Sequence, residues 1–126
     1  MSLFGIGIDI VQIDRMEKMI DKHGDSFAKK VFHENELNFY QTTKHPARYL
    51  AKRFAAKEAF AKAFGFGIVE GVTLPNIEIS NDKYGKPIIC LHAKTKERFN
   101  LSGALSILLS ISDEKLYAVA QVVIEK

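Results

Sequence analysis

The residues best suited to chemistry lie in the stretch 53–67, RFAAKEAFAKAFGFG, where a carboxylate, Glu58, precedes an ammonium, Lys62, by four positions. On a helix these two are surface neighbours. An ordinary pair of this kind contributes only about 0.3–0.5 kcal/mol, but here alanines surround it and leave room for something to come close. A second acid, Asp9, closes the strand-like run GIGIDIV, in which Gly5, Gly7 and Asp9 fall on one face and Phe4, Ile6, Ile8 and Ile10 on the other. Glycine within a strand often marks where a ligand or another backbone approaches. Lys57 is out of place, since it falls within the apolar stripe. After the helix a glycine-bearing loop runs from Gly65 through Gly67 to Gly71, and its backbone N–H groups suit a phosphate, although a lone GxG is a weak signal.

The elements that must position these groups follow from the periodicity. Pro46 suits the first turn of a helix and Gly65 its C-terminal cap, so the spacing predicts one long helix over 46–64 with Leu50, Phe54, Ala61 and Phe64 on its core stripe. Residues 3–11 read as a buried strand. A three-turn helix over 14–23 has Met16, Met19, Ile20 and His23 on one face and a cationic stripe of Arg15, Lys18 and Lys22 on another. Two short helical pieces follow at 26–32 and 35–40. Residues 76–80 and 87–92 form a hairpin around NDKYG, 93–100 a short helix, and 104–112 with 116–124 a second hairpin around SDEK. Together these predict an α+β fold in which a small antiparallel sheet packs on the long helix.

With 126 residues, 47% of them hydrophobic, the chain suits one core and one domain, 1–126. A net charge of +3 fits an acidic partner or a phosphate ligand without demanding either. The single cysteine, Cys90, excludes an internal disulfide and reads as a small buried apolar residue. No apolar run approaches a membrane span and the N-terminus lacks the pattern of a secretory signal, so a cytoplasmic protein with no membrane partner is expected.

Read together, GIGIDIV, RFAAKEAFAKAFGFGI, NDKYGKP and SISDEKLYAVAQVVIE occur in an order and spacing that resembles the bacterial holo-acyl-carrier-protein synthases, short-chain 4′-phosphopantetheinyl transferases. The resemblance runs nearly end to end. It implies transfer of phosphopantetheine from coenzyme A to a serine of an apo acyl carrier protein in fatty acid biosynthesis, with release of adenosine 3′,5′-bisphosphate. It also implies Mg²⁺ as cofactor and a homotrimer with active sites between subunits. The metal acids of the resemblance fall on Asp9 and Glu58, and its motif lysine falls on Lys62. Two carboxylates with phosphate oxygens and water are the ligands Mg²⁺ prefers. The base is then a water held by Glu58, or Glu58 itself.

Nucleotide contacts are implied for Gly65, Gly67, Gly85, Lys86, Pro87 and Ser110. The pattern departs at Leu108 and Asp113, where relatives often carry histidine. Arg15, Lys18 and Lys22, with Met19 as apolar anchor, form the docking face expected for an acidic carrier. Leu108, Leu116, Ala118, Ala120, Val122 and Ile124 form the apolar face expected to lie between subunits. The rival from another class is a non-catalytic basic α+β module that holds RNA or an acidic protein. Nucleic acid is disfavoured because most phenylalanines fall on core stripes, leaving no exposed aromatic platform.

Overall fold

The computed structural model describes residues 2–65 and 71–126. Strand β1, Leu3–Gln12, leads into helix α1, Ile13–His23, then α2, Asp25–Val31, and α3, Glu34–Tyr40. The long helix α4 spans Pro46–Phe64, with Pro46 in its first turn and Gly65 at φ +86° closing it through Gly65 N–H to the Ala61 carbonyl. A 3₁₀ turn, Leu74–Asn76, precedes the hairpin β2, Ile77–Asn81, and β3, Pro87–Leu91. Helix α5, Ala93–Leu101, and the hairpin β4, Ser106–Asp113, with β5, Tyr117–Glu125, complete the chain.

Two antiparallel sheets result, as the periodicity predicts an α+β fold. The larger has the order β1-β5-β4, joining the first strand to the last hairpin, and the smaller is β2-β3 alone. Pairing of Gly7 with Val122 and Asp9 with Ala120 fixes the register. Helix α4 lies against the larger sheet, and its buried Leu50, Ala55, Ala59 and Phe60 meet Ala118, Ala120, Val122 and Ile124 of β5 in one core.

Strand β1, expected to be buried, turns its glycine face to the core and leaves its isoleucine face open. Gly5 and Gly7 face α4 so closely that a Cβ on Gly7 would stand 2.0 Å from the Ala59 carbonyl oxygen, and one on Gly5 would stand 1.9 Å from that of Ala63. Glycines on the strand and alanines on the helix thus make room for each other's backbone, not for a ligand. Ile6, Ile8 and Ile10 consequently point outward, 64, 59 and 63% exposed. The apolar face expected between subunits is corrected in the same way: Ala118, Ala120, Val122 and Ile124 are covered by the chain's own α4. What stays uncovered is a row of Ile6, Val123 and Leu108, with Ile10 and Val119 four residues along each strand. Cys90, read as buried, is exposed on β3, because the two-stranded sheet covers only one face of that strand.

The misplaced cation of the sequence finds its partner here. Lys57 is fully buried, and its Nζ donates to Glu36 Oε1 at 2.5 Å and to the carbonyls of Val31 and Leu74 at 2.6 and 2.9 Å. Glu36, also buried, accepts from the backbone N–H groups of His33 and Ile79. Burial, opposed by the Glu36 carboxylate, lowers the Lys57 pKa to about 8. The pair joins α2, α3 and β2 to the middle of α4. Lys57→Met should cost about 3–5 kcal/mol, because it strands the buried Glu36 carboxylate, and Lys57→Met with Glu36→Leu should recover much of that loss. Equal melting points for the single variant and the parent would exclude a structural role for the pair.

Candidate functional site

At the C-terminal half of α4, one element of each kind supplies a charged group. Strand β1 brings Asp9, on the same face as Gly5 and Gly7, down onto the helix, and α4 presents Glu58 and, one turn later, Lys62. Lys62 Nζ donates to Asp9 Oδ1 at 3.0 Å and to the Ile8 carbonyl at 3.0 Å, while remaining 55% exposed. Glu58 is half-buried, and its pKa is raised, first by burial and then by the Asp9 charge, against the opposing pull of Lys62. Two carboxylates are therefore held close enough to repel, with one ammonium to share. A divalent cation among them would relieve that repulsion, and oxygen-only donors are the set that a hard cation prefers. The residues present fit such an ion.

The neighbours of this group explain its rigidity. The backbone contact at Gly5 and Gly7 fixes the height of β1 over α4, and Lys57, the residue before Glu58, anchors an adjacent side of the helix about 100° round from it. A 4′-phosphopantetheinyl transferase superfamily model matches residues 5–120, nearly the whole chain. The chain belongs to that superfamily. It is 50% identical over 125 residues to the holo-[acyl-carrier-protein] synthase of Vibrio atlanticus (strain LGP32), with 99% of each chain covered. The crystal structure of holo-[acyl-carrier-protein] synthase from Neisseria meningitidis superposes with a TM-score of 0.94 at 41% identity, covering 98% of this chain and 99% of that one. A holo-(acyl-carrier-protein) synthase from Bacillus anthracis, solved in complex with CoA (3′,5′-ADP), superposes with a TM-score of 0.81 at 40% identity, covering 98 and 97%.

Other expected residues of this transferase fold stand apart from the acidic pair. Gly65 ends α4, where a Cβ would meet no atom within 4 Å among the described residues, and Gly67 lies outside them. Gly85, Lys86 and Pro87 close the β2-β3 hairpin, where Gly85 takes φ +87° and its carbonyl accepts from Asn81. That hairpin reaches α4 through Asn81 and Arg53 at 3.1 Å, more than one helical turn before Glu58. Ser110 is exposed on the outer face of β4, opposite Gln121, so within one chain it faces away from Asp9. Asp113 is engaged by Arg48 at 2.6 Å and by Lys52 at 3.6 Å, and the Arg48 hydrogen bond is the main cause that lowers its pKa. It ties the end of β4 to α4. Arg15, Lys18 and Lys22 are exposed on α1 beside a parallel acidic stripe of Asp14, Glu17 and Asp21, and Met19 is half-buried against the core.

Sequence reasoning missed Glu36 as the partner of Lys57 and did not single out Glu78. Among the described residues, the side chains of His33, Glu78 and His92 bring ligand atoms within 4.8 Å of one another, on α3, β2 and the start of α5. Long sequence separation hid both groupings. No helix among the described residues is long and apolar enough to cross a membrane.

Proposed function

We propose that the whole chain, 1–126, works as one transferase domain that moves 4′-phosphopantetheine from coenzyme A to a serine of apo acyl carrier protein, releasing adenosine 3′,5′-bisphosphate. The observation that carries this reading is the convergence of Asp9, Glu58 and Lys62 on a chain of this superfamily. Asp9 and Glu58 would hold Mg²⁺. Bound there, Mg²⁺ would neutralise charge on the diphosphate as the leaving group departs. Lys62 is placed to move its ammonium from Asp9 to a phosphate oxygen as the donor enters, since its exposed stem leaves it free to swing. The carrier serine oxygen attacks the phosphorus that bears the pantetheine arm, and the bond from that phosphorus to the bridging oxygen breaks. The electron pair leaves on the bisphosphate. The serine proton passes to Glu58, directly or through a water that Glu58 holds, and its raised pKa suits it to receive that proton. Coupled detection of adenosine 3′,5′-bisphosphate tests the reaction: release should require coenzyme A, apo carrier and Mg²⁺ together, and release without carrier would mean hydrolysis instead.

Assembly and partner docking extend the reading. The outward row of Ile6, Ile8, Ile10, Val119, Val123 and Leu108 needs cover, and a homotrimer would supply it. Ser110, on that same face, would then serve a neighbouring copy's site, as would any contact from Gly85, Lys86 or Pro87 if the nucleotide spans two chains. Ile8→Lys is expected to give a monomer in sedimentation and at least tenfold lower turnover; an assembled or fully active variant would show that another face joins the subunits. The basic stripe of α1 suits an acidic carrier, steering it toward Asp9, the nearest metal acid in the chain. Reversing Arg15 and Lys22 together should raise the carrier KM several-fold and flatten its salt dependence, leaving the KM for coenzyme A unchanged. Unchanged carrier kinetics would place docking elsewhere. A cytoplasmic location fits these substrates.

A further inference from the structure

The strongest unassigned grouping lies on the side of α4 away from the acidic pair, beyond the Glu36–Lys57 ion pair. His33 caps the N-terminus of α3, accepting at Nδ1 from Asn35 N–H across 3.2 Å while Glu36 reaches back to its own N–H. Glu78 sits in β2 with its backbone in the hairpin ladder. His92 follows β3 at the start of α5, and its N–H donates to the Asn76 carbonyl. Each side chain is therefore carried by a backbone that is already fixed.

Their mutual geometry is close to that of a metal site. His92 Nε2 is 2.8 Å from Glu78 Oε1, and His33 Nδ1 is 3.7 Å from the same oxygen. Metal–ligand distances of about 2.0–2.1 Å in a tetrahedral zinc site imply ligand atoms roughly 3.3 Å apart, a separation that these two values bracket. Asn35 Nδ2 holds Glu78 Oε2 at 3.0 Å, which aims Oε1 at both imidazoles, as an outer carboxylate partner does in metal proteins. The two rings stack at 4.3 Å between centroids with 18° between their planes, so an ion held by both nitrogens requires one imidazole to turn out of the stack. His33 would give up only a long N–H···N contact. His33 and His92 are partly exposed, at 25 and 33%, which leaves an entry path, while Glu78 is buried beneath them.

We infer that His33, Glu78 and His92 form a Zn²⁺-type site, separate from the acidic pair, that clamps α3, the β2-β3 hairpin and α5 together. Two imidazoles and one carboxylate are donors for zinc, whereas Mg²⁺ prefers oxygen alone. The two sites thus sort the two metals by ligand chemistry.

The test uses the full chain, stripped of metal and kept in excess Mg²⁺ so that the acidic pair is occupied. Calorimetric titration with Zn²⁺ should show one site per chain, and Zn²⁺ should raise the melting temperature by several degrees. Lowering the pH from 7.5 to about 5.5 should weaken binding at least tenfold, as imidazoles must be neutral to bind. His33→Ser retains a helix-capping oxygen, so it should fold normally while losing the site, and His92→Gln should lose it too. Asp9→Ala should keep it. Absence of Zn²⁺ binding in excess Mg²⁺, or retention of full affinity in both histidine variants, or loss in Asp9→Ala alone, would each overturn the inference. Because the readout is metal binding and melting, it is independent of transferase activity.

Discussion

Asp9→Ala and Glu58→Ala are each expected to lower Mg²⁺-dependent transfer by about a hundredfold to a thousandfold or more, with no loss of fold. The two carboxylates come from different elements, one on β1 and one on α4, so neither variant leaves a complete oxygen pair for the cation. Stability should move the other way. Burial and the Asp9 charge raise the Glu58 pKa above its ordinary value. In the pH window between that ordinary value and the raised one, the native state holds more protons than the unfolded chain, so stability falls as pH rises through it. At neutral pH the charged Glu58 is therefore a cost to the metal-free fold, and Glu58→Gln should melt no lower than the parent in the absence of Mg²⁺. For the same reason the Mg²⁺ concentration needed for half activity should climb as pH falls toward the titration of Glu58. Lys62→Ala should lower kcat more than it raises the KM for coenzyme A, because its charge matters most as the leaving group gains charge. Near-normal turnover in Asp9→Ala or Glu58→Ala, with unchanged metal dependence, would remove the pair from the mechanism.

Gly7→Ala is expected to be the most damaging small substitution for the fold. Its Cβ would lie 2.0 Å from the Ala59 carbonyl oxygen and 2.7 Å from the Ala63 nitrogen, and both are helix backbone atoms that cannot rotate away. Strand β1 must therefore rise from α4 by about an ångström, opening the core on both sides, at a cost of about 3 kcal/mol or more. The lift also carries Asp9, two residues along, away from Glu58 and Lys62, and a displacement of that size costs about a hundredfold in rate even in folded molecules. Gly85→Ala is the control: its φ is +87° and a Cβ there would meet nothing within 4 Å among the described residues, so only backbone strain of about 1–2 kcal/mol is expected. Thermal unfolding of the two variants side by side measures the difference. A Gly7→Ala protein that melts with the parent would mean that β1 and α4 are not in backbone contact.

Much of this arrangement was legible in the sequence, for physical reasons that differ by element. Helix α4 announced both its ends, because Pro46 and Gly65 act locally, and its bounds match the expected 46–64. The fold class followed from periodicity alone. The inward face of β1 was not legible in the same way, since a strand of isoleucines opposite glycines is normally buried on the isoleucine side. Here close backbone packing with the alanines of α4 outweighs side-chain hydrophobicity within one chain, and the isoleucines are left exposed. Lys57 was visible as an anomaly, yet its partner Glu36 lies 21 residues earlier and no spacing rule connects them. Glu78 and the two histidines were silent for the same reason: strand pairing and helix caps bring them together only in three dimensions.

The most direct measurement is the mass of the carrier protein. Purified apo acyl carrier protein, incubated with this protein, coenzyme A and Mg²⁺, should gain the mass of one phosphopantetheine group on its acceptor serine. The gain should vanish when Asp9→Ala replaces the parent protein or when a chelator removes the metal. An unmodified carrier after prolonged incubation, whichever acyl carrier protein is offered, would contradict the account and favour a binding module built on a transferase fold.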